Sequence, residues 1–142
     1  MKTSFTKAIE DMNRMYNLPV ADTPTAFPGE PISERMPRFM NVLHEEIEEG
    51  NKIVVNATEN KLSPIEQLTE VADLLGDIVV YAYSEAAKYG IPLDQVLEII
   101  MASNASKLGV DGKPIYDERG KFMKGPNYWK PEPKILELLK NL

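Results

Sequence analysis

The stretch from Ser63 to Gly90 reads SPIEQLTEVADLLGDIVVYAYSEAAKYG. Its first four letters combine an N-cap serine, a proline suited to the first helical position and a glutamate that completes a capping box. Its last letter is glycine, which commonly follows the final turn of a helix. We therefore predict one long helix that runs to Lys88 or Tyr89 and stops at Gly90.

This helix carries an acidic stripe on an otherwise apolar surface. At about 100° per residue, the stripe occupies an arc of about 60° and consists of Glu66, Glu70, Asp73 and Asp77. Apolar side chains cover most of the remaining circumference, which is typical of a helix buried at the centre of a bundle. We therefore predict a central, buried helix whose acids are more than an ordinary solvated face.

A second acidic run, EEIEE at residues 45–49, ends the preceding predicted helix. That helix starts near residues 33–37 and ends at Gly50. Its apolar arc contains Glu46 and borders Glu49, whereas Glu45 and Glu48 point towards water. The single histidine, His44, also points outward. Residues 51–62 fit either a further helical turn or a loop.

Three further helices follow from apolar residues at helical spacing. They cover Ser4 to Tyr16 with Ser4 as N-cap, Pro92 to about residues 107–109, and a short segment after Pro133 up to Leu142. Residues 17–31 form a proline-rich loop, and the loop-rich C-terminal tail has room for a short hairpin around residues 115–116 and 122–123. The prediction is an all-α bundle of four to five helices in a single domain, 1–142.

The composition excludes several classes of function and of binding site. A formal net charge of −6 over 142 residues argues against non-specific binding to nucleic acid. No apolar run has the length of a membrane span, and the N-terminus lacks the apolar core of a signal peptide. There is no cysteine, so thiolate zinc sites and cysteine nucleophiles are excluded. We expect a cytoplasmic protein with neither nucleic acid nor membrane as partner.

The two acidic runs together favour a metal site. Carboxylates three residues apart share one face of a helix, so two such helices side by side can aim four carboxylates at one point. Mg²⁺ or Mn²⁺ fits an all-oxygen set, and His44 belongs to no Glu-x-x-His motif of the di-iron type. The lysines of the last third could bind a polyphosphate. Solvated helix faces and a solvated charge asymmetry are the alternatives.

The acidic motifs also carry a resemblance. EExxE at Glu45–Glu49, a spacer of 20 residues and ExxD at Glu70–Asp73 resemble the signature of the all-α nucleoside triphosphate pyrophosphohydrolases, the MazG-like group. The segment IMASNASK at 100–107, followed by DGK at 111–113 and GKFMKGP at 120–126, is similar to the tail of the stand-alone branch often labelled phosphoribosyl-ATP pyrophosphohydrolase-like. The resemblance extends over most of the chain.

That resemblance implies a bundle completed by homodimerisation, or a homotetramer, and Mg²⁺-dependent cleavage of nucleoside triphosphates between the α- and β-phosphates. It implies that four carboxylates bind the metal, namely Glu46, Glu49, Glu70 and Asp73. Two acids would act on the water in catalytic roles, Glu45 and Asp77. Four residues would contact the substrate, namely Asn104, Lys107, Lys121 and Lys124.

The resulting hypothesis is an enzyme that releases pyrophosphate from non-standard or excess nucleotides. Hydrolysis would be direct, because the sequence has neither a P-loop nor a nucleophile elbow. Phosphoribosyl-ATP pyrophosphohydrolase, of histidine biosynthesis, is the runner-up, since the enzymes with that activity are shorter and lack this N-terminal extension and tail. A non-catalytic helical module that binds nucleotide or metal is the rival from another class.

Overall fold

The computed structural model describes residues 2–59 and 61–142, and across them the chain is all-α. Five helices form in these ranges, namely α1 Ser4–Met15, α2 Ile32–Thr58, α3 Pro64–Tyr89, α4 Leu93–Ala105 and α5 Glu132–Lys140. The predicted fold class is therefore confirmed. None of the described helices combines the length and the apolar character needed to cross a membrane.

The chain divides into two compact units, Met1–Ile91 and Pro92–Leu142. The first contains α1, α2 and α3, with α2 and α1 both packed against α3. The second contains α4 and α5, which contact each other. The single domain over 1–142 stays a prediction.

Helix α2 is longer than the sequence predicted. It continues through Gly50 to Thr58, so the predicted end at Gly50 is wrong. A Cβ placed on Gly50 would lie 3.5 Å from Cδ2 of Leu74, which is ordinary packing distance. The glycine therefore sits where α2 approaches α3, and packing against α3 stabilises helix beyond a residue that often ends one.

The ends of α3 match the prediction. Ser63 is the N-cap: its Oγ accepts a hydrogen bond from the Glu66 backbone N–H at 3.4 Å and donates one to Glu66 Oε1 at 2.8 Å. Gly90 follows the last turn with φ +67°, in the left-handed region that favours glycine. These caps are local interactions, which is why the sequence alone locates both ends.

The 17–31 loop closes the C-terminal end of α3. The backbone N–H groups of Ala21 and Thr25 donate to the carbonyls of Ala87 and Tyr89 at 3.0 and 2.9 Å. These carbonyls belong to the last helical turn and have no partner within the helix. The approach is close, since a Cβ on Gly90 would lie 2.4 Å from the carbonyl oxygen of Thr23.

Helix α1 is attached to α3 by a buried polar pair. Asn13 is fully buried; its Nδ2 donates to the Ser84 carbonyl at 3.0 Å and its Oδ1 accepts from the Ser84 hydroxyl at 2.6 Å. The N-cap of α1 is Thr3, whose side chain accepts from the Thr6 N–H, so the prediction of Ser4 as N-cap is wrong by one residue.

Within the single chain, α3 is not buried along its length. Its fully buried residues all lie in the last two turns, from Ser84 to Tyr89. Earlier apolar residues are exposed, among them Leu68 at 61 % and Leu75 at 58 %. The prediction of a central, buried helix is therefore wrong for the isolated chain, because α1 and α2 cover only part of its circumference.

In the second unit, the segment between α4 and α5 folds back on the end of α4. The Gly125 N–H donates to the Lys107 carbonyl at 2.8 Å, and the Ser103 hydroxyl donates to the Trp129 carbonyl at 2.9 Å. The predicted hairpin is reduced to one antiparallel bridge between Tyr116 and Phe122. Helix α4 ends at Ala105, slightly before the predicted end.

Candidate active site

An acidic cleft of about 400 Å³ lies between α2 and α3 in the first unit. Five carboxylates line it, namely Glu46 and Glu49 from α2 and Glu70, Asp73 and Asp77 from α3. They include all four residues predicted to bind metal, and Asp77. The helical spacing explains the convergence, because residues three or four apart share a face and the two acidic faces lie opposite each other.

Glu46 feels both burial and the charges of the other acids of the cleft. This residue is only 9 % exposed, and burial raises the pKa of its carboxyl, with further increases from the charges of Asp77, Glu49 and Asp73. The same charges act on Tyr81, which follows Asp77 by one helical turn on α3. Burial, followed by the charges of Glu46 and Asp77, raises the pKa of Tyr81. A cation in the cleft would relieve this repulsion.

Two of the carboxylates accept hydrogen bonds from neighbouring side chains. Glu49 forms an ion pair with Lys52 at 3.0 Å, which raises the pKa of Lys52 through the hydrogen bond. Both oxygens of Glu70 lie 3.4 Å from Nδ2 of Asn56. In this arrangement no three acidic or histidine side chains of residues 2–59 and 61–142 converge closely enough to hold a metal ion.

The donor set nevertheless fits a hard divalent cation. Carboxylate oxygens are the ligands that Mg²⁺ and Mn²⁺ prefer, and the five acids supply more negative charge than the cleft's own lysine balances. Lys52 is 70 % exposed at its side chain, so rotation of a surface side chain is enough to free Glu49. The residues that would hold the ion are Glu46, Glu49, Glu70 and Asp73.

The other predicted site residues lie elsewhere. Glu45 is exposed and does not line the cleft, although its charge contributes to the raised pKa of Glu46. The predicted substrate contacts all belong to the second unit. Of these, Asn104, Lys121 and Lys124 are exposed and Lys107 is half-buried. The Nζ of Lys124 lies 5.0 Å from the ring centre of Tyr128.

Lys52, Ile53 and Asn56 line the cleft, and the sequence analysis did not identify them. The reason is the predicted end of α2 at Gly50. Once α2 continues, these residues follow Glu49 at spacings of three, four and seven, which places them on its cleft face. This spacing is visible in the sequence once the helix is extended past Gly50.

A buried ion cluster connects α2 to α3 further along the same helices. Arg35 donates from Nε to Glu85 Oε2 at 2.9 Å and from Nη2 to Oε1 at 2.8 Å. Lys88 donates to the same Oε1 at 3.2 Å. Burial would raise the pKa of Glu85, but the Arg35 hydrogen bonds and the Lys88 charge outweigh it, so the pKa is lowered. Nothing in the sequence indicated this cluster.

Fold and site define an all-α protein with a carboxylate-lined cleft between two long helices. The family model that matches this chain is described as "PRA-PH: Phosphoribosyl-ATP pyrophosphohydrolase" and covers residues 9–104. That span is more than half of the chain and contains both acidic motifs. The chain therefore belongs to the phosphoribosyl-ATP pyrophosphohydrolase family, within the all-α nucleoside triphosphate pyrophosphohydrolases.

A solved structure agrees with the fold. The crystal structure of a protein named, provisionally, as an NTP pyrophosphohydrolase from Exiguobacterium sp. 255-15 aligns with a TM-score of 0.52 at 23 % identity, over 99 % of this chain and 97 % of that one. At this identity the likeness bears on the fold alone. No curated protein matches the sequence.

Proposed function

We propose that this protein hydrolyses nucleoside triphosphates between the α- and β-phosphates, releasing a nucleoside monophosphate and pyrophosphate. The observation that carries the proposal is the acidic cleft, where the carboxylates of EExxE and ExxD face each other. Family membership supports pyrophosphohydrolase chemistry in general. Removal of non-standard or excess nucleotides in the cytoplasm is the physiological role we propose.

The mechanism assigns each acid a task. Glu46, Glu49, Glu70 and Asp73 would hold Mg²⁺, with Mn²⁺ as the alternative. When bound, such an ion neutralises phosphate charge and lowers the pKa of a coordinated water. Asp77, which lines the cleft, orients the attacking water, and the exposed carboxylate of Glu45 accepts the proton. The water oxygen bonds to phosphorus as the bond to the oxygen bridging the α- and β-phosphates breaks, and pyrophosphate leaves.

The substrate's phosphates also need positive charge. Asn104, Lys107, Lys121 and Lys124 are the residues we propose for contacts with the nucleotide, on the strength of their match to the motifs of the tail. Lysine suits this task because its flexible ammonium group can follow a polyphosphate as a point charge.

The assembly we propose is a homodimer. Both cleft helices expose apolar side chains away from the acids, including Ile47 and Val54 on α2 and Leu68 and Leu75 on α3. Large apolar side chains exposed on both helices favour an interface with another chain. A second copy provides a matching surface, because a two-fold axis brings the same patch from each chain together. A homotetramer is the alternative assembly.

The family model's description favours a second candidate substrate, phosphoribosyl-ATP. Its hydrolysis uses the same bond cleavage and the same acids, so the acidic cleft does not discriminate between the two. A direct comparison of substrates does.

The experiment is pyrophosphate release with Mg²⁺ across natural and modified NTPs and dNTPs, with phosphoribosyl-ATP included. Glu49→Gln should lower kcat/KM by about 100-fold or more, because it removes a metal ligand. Its neighbour Glu48 is exposed and outside the cleft, so Glu48→Gln is the matched control and should stay within about twofold. Absence of activity across the whole panel would leave the non-catalytic module as the better description.

A further inference from the structure

A second cavity, of about 360 Å³, lies in the first unit and shares one wall residue with the acidic cleft. The shared residue is Asp77, which lines both. Along α3 the second cavity continues past Asp77 to Tyr81, Ser84 and Lys88, which recur at helical spacing on the same face. With a rise of 1.5 Å per residue, Asp77 and Lys88 lie about 16 Å apart along the helix.

One side of this cavity is aromatic and apolar. Tyr16, Phe39 and Tyr81 line it together with aliphatic side chains. Aromatic side chains of this kind suit a flat heterocycle, since every base has a face that can stack on an aromatic ring. The apolar part of the cavity therefore favours a planar ring but does not select among bases.

The lining also offers hydrogen-bond donors, from Arg35 and Lys88. Glu85 is the carboxylate of the buried ion cluster, and its two oxygens already accept from Arg35 and Lys88. Nη1 of Arg35 makes no hydrogen bond among the described residues, and Nζ of Lys88 makes only the one to Glu85. The side chains are 18 % and 8 % exposed respectively, and both residues line the cavity, so their remaining donors are available to a bound acceptor.

The ion cluster of Arg35, Lys88 and Glu85 contains more positive than negative charge, which also favours a hydrogen-bond acceptor. Two cations share the Glu85 carboxylate at this end of the cavity, whereas the second carboxylate of the lining, Asp77, lies at the end shared with the acidic cleft. Burial lowers the pKa of Lys88, which the Glu85 charge only partly offsets. An acceptor bound in the cavity would give Nη1 of Arg35 a hydrogen-bond partner that the protein does not supply.

We propose that this cavity binds the nucleobase of the substrate. In this proposal Arg35 and Lys88 select bases that carry a carbonyl group over bases that carry an amino group at the same ring atom. This inference rests on the proposed function, since the phosphates must occupy the acidic cleft beside it. The preferred class comprises uracil, thymine, hypoxanthine and guanine. Cytosine and adenine would place an amino group, which is itself a donor, against the donors of Arg35 and Lys88. Neither the amino group nor the protein would then have an acceptor.

The reaction that supplies such substrates follows from the same chemistry. Replacement of an amino group by a carbonyl is hydrolytic deamination, which turns cytosine into uracil and adenine into hypoxanthine with release of ammonia. A carbonyl-selective cavity next to a pyrophosphate-releasing site would remove the triphosphates that deamination produces.

The test uses substrate pairs that differ only in this group, UTP against CTP and ITP against ATP. We expect kcat/KM to favour the carbonyl member by about 10-fold or more, because a donor site strongly disfavours the analogue that lacks the acceptor. Lys88→Met should lower kcat/KM for the carbonyl member by about 10-fold, leave the amino member within about twofold, and so remove most of the preference. Lys61→Met, at an exposed lysine, is the matched control.

Folding is checked separately. Methionine has nearly the length of lysine, and Glu85 keeps its ion pair with Arg35, so Lys88→Met should remain folded at the assay temperature. Equal kcat/KM within each pair, a preference for the amino members or for phosphoribosyl-ATP, or an unchanged preference in folded Lys88→Met would each overturn the inference while pyrophosphate release stands.

A protein that hydrolyses none of these substrates would contradict the proposed function first. The cavity is then tested by equilibrium binding of UMP against CMP and IMP against AMP. Tighter binding of UMP and IMP that Lys88→Met weakens supports the carbonyl-selective cavity. Equal affinities, or no binding at all, would overturn it.

Discussion

Arg35 and Glu85 form a bidentate ion pair across 50 residues of sequence, with Nε–Oε2 at 2.9 Å and Nη2–Oε1 at 2.8 Å. The pair joins the start of α2 to the last turns of α3, and both side chains are largely buried. Replacement of both partners by apolar groups can be harmless in such a site, but removal of one leaves an uncompensated charge. The pair therefore makes α3 sensitive to single substitutions.

Glu85→Gln should lower the free energy of unfolding at pH 7 by about 3 kcal/mol, because it leaves Arg35 and Lys88 buried without a counter-charge. The pKa of Glu85 is lowered from 4.5, so its stabilising contribution is complete above that pH and is lost as pH falls through the lowered pKa. Urea unfolding of both proteins between pH 7 and pH 3 measures this. The two stability curves should converge in acid, and a constant gap over the whole range would contradict the assignment.

Asp73→Asn should make the metal-free protein more stable while it abolishes activity. Removal of one like charge from the acidic cleft relieves the repulsion centred on Glu46, and we expect the unfolding temperature to rise by about 2 °C or more. Mg²⁺ should stabilise the wild type by about 2.7 kcal/mol at 100 times its Kd and the variant much less. Thermal unfolding with and without Mg²⁺ decides this, and equal stabilisation of both proteins would exclude Asp73 as a ligand.

Leu75→Glu should convert a homodimer into a monomer, because it places a charge in the exposed apolar surface of α3. Size-exclusion chromatography with light scattering gives the mass directly. Val110→Glu is the matched control, since Val110 is exposed but belongs to the second unit, whereas α2 and α3 belong to the first. A wild-type protein that is monomeric at high micromolar concentration would contradict the homodimer.

Gly90→Ala should destabilise the protein by more than the cost of a left-handed alanine, which is about 1–2 kcal/mol. The additional cost arises because the new Cβ would meet the Thr23 carbonyl oxygen at 2.4 Å. Gly29→Ala is the matched control: Gly29 also has positive φ, at +82°, but a Cβ there would meet nothing within 4 Å. Equal destabilisation of the two variants in urea unfolding would show that the loop moves freely away from α3.

The all-α class and the cap residues of α3 could be predicted from the sequence, which also indicated that Glu46 lies on the inward face of α2. These features depend on periodicity and on interactions within a few residues, such as the Ser63–Glu66 hydrogen bonds at the start of α3. The inward orientation of Glu46 follows from its angle among apolar neighbours, and its burial agrees.

The features that depend on residues distant in the sequence became visible only in the tertiary structure. Helix α2 passes Gly50 because Leu74, 24 positions further along the sequence, packs against it. That continuation brings Lys52 and Asn56 into the acidic cleft. Arg35 and Glu85 meet only because α2 packs along α3. Local propensity carries no information about such pairs, since their energy arises from burial and charge shared between helices.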